Sequence, residues 1–224
     1  SKEAKTLLSE GYRGYKMRVH GDFKRDVERV KTVRESLGEE IDLMVDTGCA
    51  LHSWKAEQTI RFAKEIENLN IYWLEDPVPR FDIKGYRKVR DEVNIPIAMG
   101  EQYYTREDFK DYLTEGLVDI VQPDVVRTGG ITEARKISVL ADAWGARLVP
   151  HSWESIVALA ANLHVVASAS NGVMLEYTTV YNPLLTDLTK DRIEPKDGFI
   201  KVPDKPGLGI ELDEEKIEEY RKTS

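Results

Sequence analysis

Six short apolar runs in this chain each end in one acid or histidine, at a nearly constant interval, and few folds accommodate that pattern. The runs IDLMV, IYWL, IPIAMG, VDIVQP, ARLVP and GVML close on Asp46, Glu75, Glu101, Asp124, His151 and Glu176. The steps between those residues are 29, 26, 23, 27 and 25. A parallel strand needs a crossover of a dozen or more residues before its next neighbour, and every step has room for one. The chain therefore reads as consecutive strand–helix units. In a closed β/α barrel the C-terminal strand ends converge on one face, where the active site is built.

The segments between the runs carry helical signals. In DFKRDVERVKTVRESLG, Phe23, Val27, Val30, Val33 and Leu37 recur at helical spacing, with Asp22 as cap and Gly38 as stop. The same reading places helices over 2–10, 54–69, 81–93, 105–117, 131–144 and 154–169. Strands are predicted over 14–19, 41–46, 71–75, 95–101, 118–124, 146–151 and 172–177. They are apolar almost throughout, as strands covered on both faces are. That is seven strands where a closed barrel has eight, and the missing one is expected before residue 1. Residues 1–177 are thus predicted as barrel. Residues 178–224 read as a turn-rich tail with a final helix at 213–221, expected to pack on something outside the barrel.

Composition narrows the function. The chain has 224 residues, a formal net charge of −8 and no basic cluster, which argues against nucleic acid or an anionic membrane surface as partner. No apolar run approaches the roughly 18 residues of a membrane span. A single cysteine, Cys49, allows no internal disulfide and suits a reducing, cytoplasmic setting.

The chemistry lies in the strand ends. Asp46, Glu75 and Glu101 would repel one another if brought together, unless a cation neutralises them; hard oxygen ligands suit Mg²⁺. His151 can serve as a general base, with Asp124 fixing its tautomer and stabilising the imidazolium. Glu176 can hydrogen-bond a substrate oxygen. Lys16 and Arg18 are two apart on the earliest strand and so share one of its faces. Lys16 can bind a substrate carboxylate, whereas the guanidinium of Arg18 stays protonated and is a poor base.

These residues come in motifs: Lys16-Met17-Arg18, Asp46, WLEDP (73–77), GEQ (100–102), QPD (122–124), PHSW (150–153), LEY (175–177) and PDKPGLGIELDE (203–214). Together, in this order, they resemble the mandelate racemase subgroup of the enolase superfamily over essentially the whole chain. The resemblance implies a TIM-type (β/α)7β barrel, here lacking its first strand and the N-terminal α+β capping domain of the family, on which the tail would pack. It implies Mg²⁺ on Asp46, Glu75 and Glu101, and an enediolate formed when the α-proton of a carboxylate substrate leaves. His151, held by Asp124, would be the acid/base on one face, Glu176 would bond the substrate carboxylate, and Lys16 would help neutralise it. Symmetric homo-oligomers are a further expectation by analogy.

Two departures bear on the reaction. Where family members carry Lys-x-Lys, with a base on the opposite face, this chain has Arg18. Racemisation needs groups on both faces, whereas one His–Asp pair can remove an α-proton and help a β-hydroxyl depart. A sugar-acid dehydratase giving a 2-keto-3-deoxy acid is therefore expected, with a racemase or epimerase, or a non-catalytic barrel fragment, as alternatives. The loop TGCALHSW after Asp46 is longer than usual and brings His52 near the metal ligands in sequence, as a candidate second acid.

Overall fold

The computed structural model describes residues 2–48 and 54–221. The expectation for His52 falls outside those residues. In chain order the elements are α1 (Lys2–Ser9), β1 (Gly14–Arg18), α2 (Phe23–Leu37), β2 (Asp42–Asp46), α3 (Ala56–Ile66), β3 (Ile71–Glu75), α4 (Ile83–Glu92) and β4 (Ile97–Met99). There follow α5 (Arg106–Thr114), β5 (Ile120–Val121), α6 (Gly130–Ala143), β6 (Arg147–Leu148), α7 (Ile156–Ala167), α8 (Pro183–Thr186) and α9 (Glu214–Tyr220). The strands form one sheet in the order β1-β2-β3-β4-β5-β6, parallel at each registered pair from β1 to β4. Strand–helix alternation with neighbouring strands in chain order is the topology of a TIM-type β/α barrel.

The helices form where the spacing predicts them. In α2 the Asp22 side chain accepts from Arg25 N–H, Val27, Val30, Val33 and Leu37 are buried, and Gly38 at φ 76 ends the helix with its N–H on Arg34 O. The later strands are shorter than their apolar runs. Pro96, Pro123 and Pro150 have no N–H to give a ladder, and they flank β4, β5 and β6.

The expected seventh strand, 172–177, reduces to a single parallel bridge, Leu148 to Gly172. Two bonds flank it, Leu148 N–H to Asn171 O at 2.8 Å and Val173 N–H to Leu148 O at 3.1 Å. Beyond them the chain leaves the ladder, and Leu175 and Tyr177 pack on the α7 core. The apolar character of that run serves helix packing rather than strand pairing. The helix α8 was not expected; Asn182 caps it, accepting from Leu184 N–H, with Pro183 at its first turn.

By internal contact the chain divides into two compact units. The first comprises 1–99, 110–120 and 196–198, the second 100–109, 121–195 and 199–224. In the first, Phe62 is met edge-on by Trp54 and Phe23, with centroids 5.2 and 6.4 Å away. In the second, Ile156, Leu159, Ala160 and Leu163 on α7 are buried with Leu185 and Ile193, and Leu188, Val202, Leu208 and Ile210 of the tail pack against them. His164 on α7 places Nε2 3.2 Å from Leu208 O.

Candidate active site

Parallel register sets the carboxylates of the first unit. Arg18 pairs with Asp46 across β1–β2, and Asp46 with Glu75 across β2–β3. Both carboxylates are almost wholly buried, 2% and 1% exposed. Each meets a cation. Lys16 Nζ donates to Glu75 Oε1 at 2.7 Å and Arg18 Nε to Asp46 Oδ2 at 2.7 Å. The indole N–H of Trp73 donates to Glu75 Oε2 at 3.0 Å, and Gly48 N–H to Asp46 Oδ1 at 2.6 Å. Thr47 ties the following turn to β3 through Glu75 O and Asp76 O.

Burial, and then the charge of Glu75, push the Asp46 carboxyl up to about 6, against the pull of Lys16 and Arg18. A buried carboxylate that its own cations do not fully stabilise favours a further positive charge beside it. The all-oxygen donor set therefore fits Mg²⁺.

The second unit holds Glu101, Asp124, His151 and Glu176. Across β3–β4 the partner of Glu75 is Ala98, so Glu101 lies in the turn beyond β4 rather than on the strand. Gly100 makes that turn at φ 145, and a Cβ there would stand 2.7 Å from Gln122 N and 2.9 Å from a Phe109 ring carbon. Only glycine fits.

His151 Nδ1 is 2.7 Å from Asp124 Oδ2, and its Nε2 is 3.4 Å from Glu101 Oε2. An ionised carboxylate only accepts, so Nδ1 carries a proton, and the neutral ring presents a lone pair at Nε2. Doubly protonated, the ring bridges two acids. Burial alone would raise Asp124; the bond from His151, the Val126 N–H at 3.0 Å and the imidazolium charge outweigh it and hold the carboxyl below its ordinary value. Ser152 N–H donates to Glu176 Oε2 at 3.3 Å.

Two residues near this pair escaped the sequence reading. Asp124, His151 and Glu154 offer ligand atoms all within 4.8 Å of one another, a cluster able to hold a divalent metal. It is a different set from the three strand-end carboxylates, and its mixed nitrogen and oxygen donors suit a transition metal better than Mg²⁺. The other is Asn162 on α7, fully buried and bonded to both Asp124 and His151. Its one signal is a lone amide in the stretch IVALAANLHVVA, where the only other polar residue is His164.

Residues 1–216 match the enolase C-terminal domain-like family. The chain is 34% identical over 212 residues to the arabinonate dehydratase of Saccharolobus solfataricus, covering 94% of this chain and 56% of that protein. It is 32% identical over 221 residues to the D-galactarolactone cycloisomerase of Agrobacterium fabrum, covering 95% of this chain and 58% of that one. Among solved structures, the 3,6-anhydro-D-galactonate cycloisomerase from Zobellia galactanivorans superposes with a TM-score of 0.92 at 33% identity, over 99% of this chain and 62% of that one.

Proposed function

The chain belongs to the enolase C-terminal domain-like family, and on that premise we propose that it removes the α-proton of a sugar acid through an enediolate, expelling the β-hydroxyl to leave a 2-keto-3-deoxy acid. The buried pair of His151 Nδ1 and Asp124 Oδ2, 2.7 Å apart, carries this reading. With Nδ1 turned to Asp124, Nε2 is the ring atom that can take a proton, and the carboxylate stabilises the charge that results.

The residues divide the work as follows. Neutral His151 accepts the α-proton at Nε2, and Asp124 stabilises the imidazolium. The electron pair of the broken C–H bond forms the enediolate. As the C–O bond to the β-hydroxyl breaks, His151 returns the proton to that oxygen, and water leaves. The enol left behind becomes the keto acid. Lys16 helps neutralise the substrate carboxylate and Glu176 hydrogen-bonds it. Asp46, Glu75 and Glu101 would hold Mg²⁺, which would supply the positive charge that makes the α-proton acidic. The engagement of Arg18 with Asp46 supports dehydration over racemisation, because it occupies the place of an opposite-face base with a group that does not deprotonate.

The whole protein is read as a cytoplasmic homo-oligomer acting on a small carboxylate, completed by an N-terminal capping domain. The chain spans 56%, 58% and 62% of the lengths of the three relatives described above. Among the described residues no helix is long and apolar enough to cross a membrane.

The test is a screen of sugar acids with Mg²⁺, following keto-acid formation. Product that disappears in His151→Asn and with EDTA is expected. Exchange of the α-proton with solvent deuterium and inversion of the centre, with no loss of water, would replace dehydration by epimerisation. Neither signal would remove the proposed activity.

A further inference from the structure

Asn162 is an expensive residue to place where it stands. Asparagine is among the weaker helix formers, and an amide buried without partners loses its hydration with nothing in return. Its neighbours on α7 are alanine, leucine and valine, so leucine would serve both the helix and the core better. The amide instead bonds to the His151–Asp124 pair and to the backbone beside it. Its Oδ1 accepts from Val125 N–H at 3.1 Å. Its Nδ2 donates to His151 O at 2.9 Å and to Asp124 Oδ1 at 3.3 Å. The orientation is settled chemically: turned over, the amide would set N–H against N–H and carbonyl against two acceptors.

We infer that Asn162 is the positioning residue of the His151–Asp124 pair, a single buried amide that locks the backbone of the base and the carboxylate of its partner to one helix. With Asn162 in place, each Asp124 oxygen is committed. Oδ2 takes the imidazole N–H, and Oδ1 takes Val126 N–H and the amide. The carboxylate cannot rotate, the Nδ1 proton has one place to point, and Nε2 keeps one direction. Asn162 touches no reacting atom; it acts through the aim of His151. The claim about turnover rests on the dehydration proposed above, while the claim about geometry does not.

Asn162→Leu tests it, because leucine keeps the volume and removes the hydrogen bonds. Two readouts are made on the folded variant. One is the downfield proton resonance of His151 Nδ1–H, assigned by its loss in His151→Asn. The other is the division of any lost activity between kcat and KM. The expected result is a resonance shifted upfield or lost to exchange, with kcat lower by about 10- to 100-fold and KM within about two-fold, the cost of a misdirected base. A folded variant with the wild-type resonance overturns the inference, as does one that raises KM and spares kcat. If leucine prevents folding, Asn162→Ser, smaller and still polar, is read in the same way. If the wild type turns over no sugar acid, the proposed function falls and the resonance alone decides the positioning role.

Discussion

Asp124 shows how one carboxylate serves stability and chemistry together. Its hydrogen bonds and the imidazolium overcome its burial and hold it below the usual carboxylate range. A group whose folded pKa is depressed contributes stability above its unfolded value and loses it as pH falls through the folded one. Asp124→Asn is therefore expected to lower the unfolding free energy at neutral pH by about 1–3 kcal/mol. The gap should close as pH falls below about 4, where the unfolded carboxyl already binds its proton. Urea denaturation of both proteins across that range checks this; a gap that persists unchanged into acid would mean the loss is packing and not charge. Gly100 is the second residue of this kind. Gly100→Ala would press a methyl group against Gln122 and Phe109 at a φ that side chains rarely adopt, costing about 2–4 kcal/mol and displacing Glu101. A thermal midpoint equal to that of the wild type would show that the turn yields.

At the scale of elements, the runs were legible because a strand covered on both faces is apolar until its end. Asp46 and Glu75 stand out for that reason, and parallel register sets them side by side. Apolarity reports burial rather than pairing, however. Residues 118–125 are almost all buried, yet the ladder claims only Ile120 and Val121. Run 172–177 reads as a strand but packs as a half-buried loop, with Leu175 and Tyr177 against the α7 core. Asn162 was not legible because nothing in a sequence says what a helix will bury its one amide against. Arg34 is a similar case at the end of α2. Its guanidinium donates to Leu69 O, Gly38 O, Ile41 O and Asn70 O, at 2.6–2.8 Å, and so ties the loops around α2, β2 and β3 to one side chain. The planar fork of arginine reaches separate carbonyls that a single ammonium cannot. Arg34→Lys should therefore recover little of the loss in Arg34→Met, which is expected to cost about 3 kcal/mol or more in urea denaturation. Full rescue by lysine would reduce the role of Arg34 to its charge.

For the molecule as a whole, the strand-end acids make the fold and the metal one thermodynamic problem. Asp46 is buried beside Glu75 with its carboxyl raised to about 6, which marks a native state that holds negative charge at a cost. An ion that binds the native chain and not the unfolded one stabilises it by RT ln(1 + [L]/Kd), about 2.7 kcal/mol at one hundred times Kd. Mg²⁺ should therefore raise the urea midpoint and EDTA should reverse the gain, with no substrate present. The proposed ligands come from both compact units, Asp46 and Glu75 from the first and Glu101 from the second. If all three hold one ion, Glu101→Gln must lose the Mg²⁺-dependent gain as fully as Asp46→Asn does. Asp124→Asn, outside that set, must keep it. If instead the ion settles on Asp124, His151 and Glu154, whose ligand atoms already lie within 4.8 Å of one another, the pattern inverts: the gain survives Asp46→Asn and vanishes in Asp124→Asn. Denaturation of the same four proteins, with and without Mg²⁺, thus decides which acids hold the metal before any substrate is known.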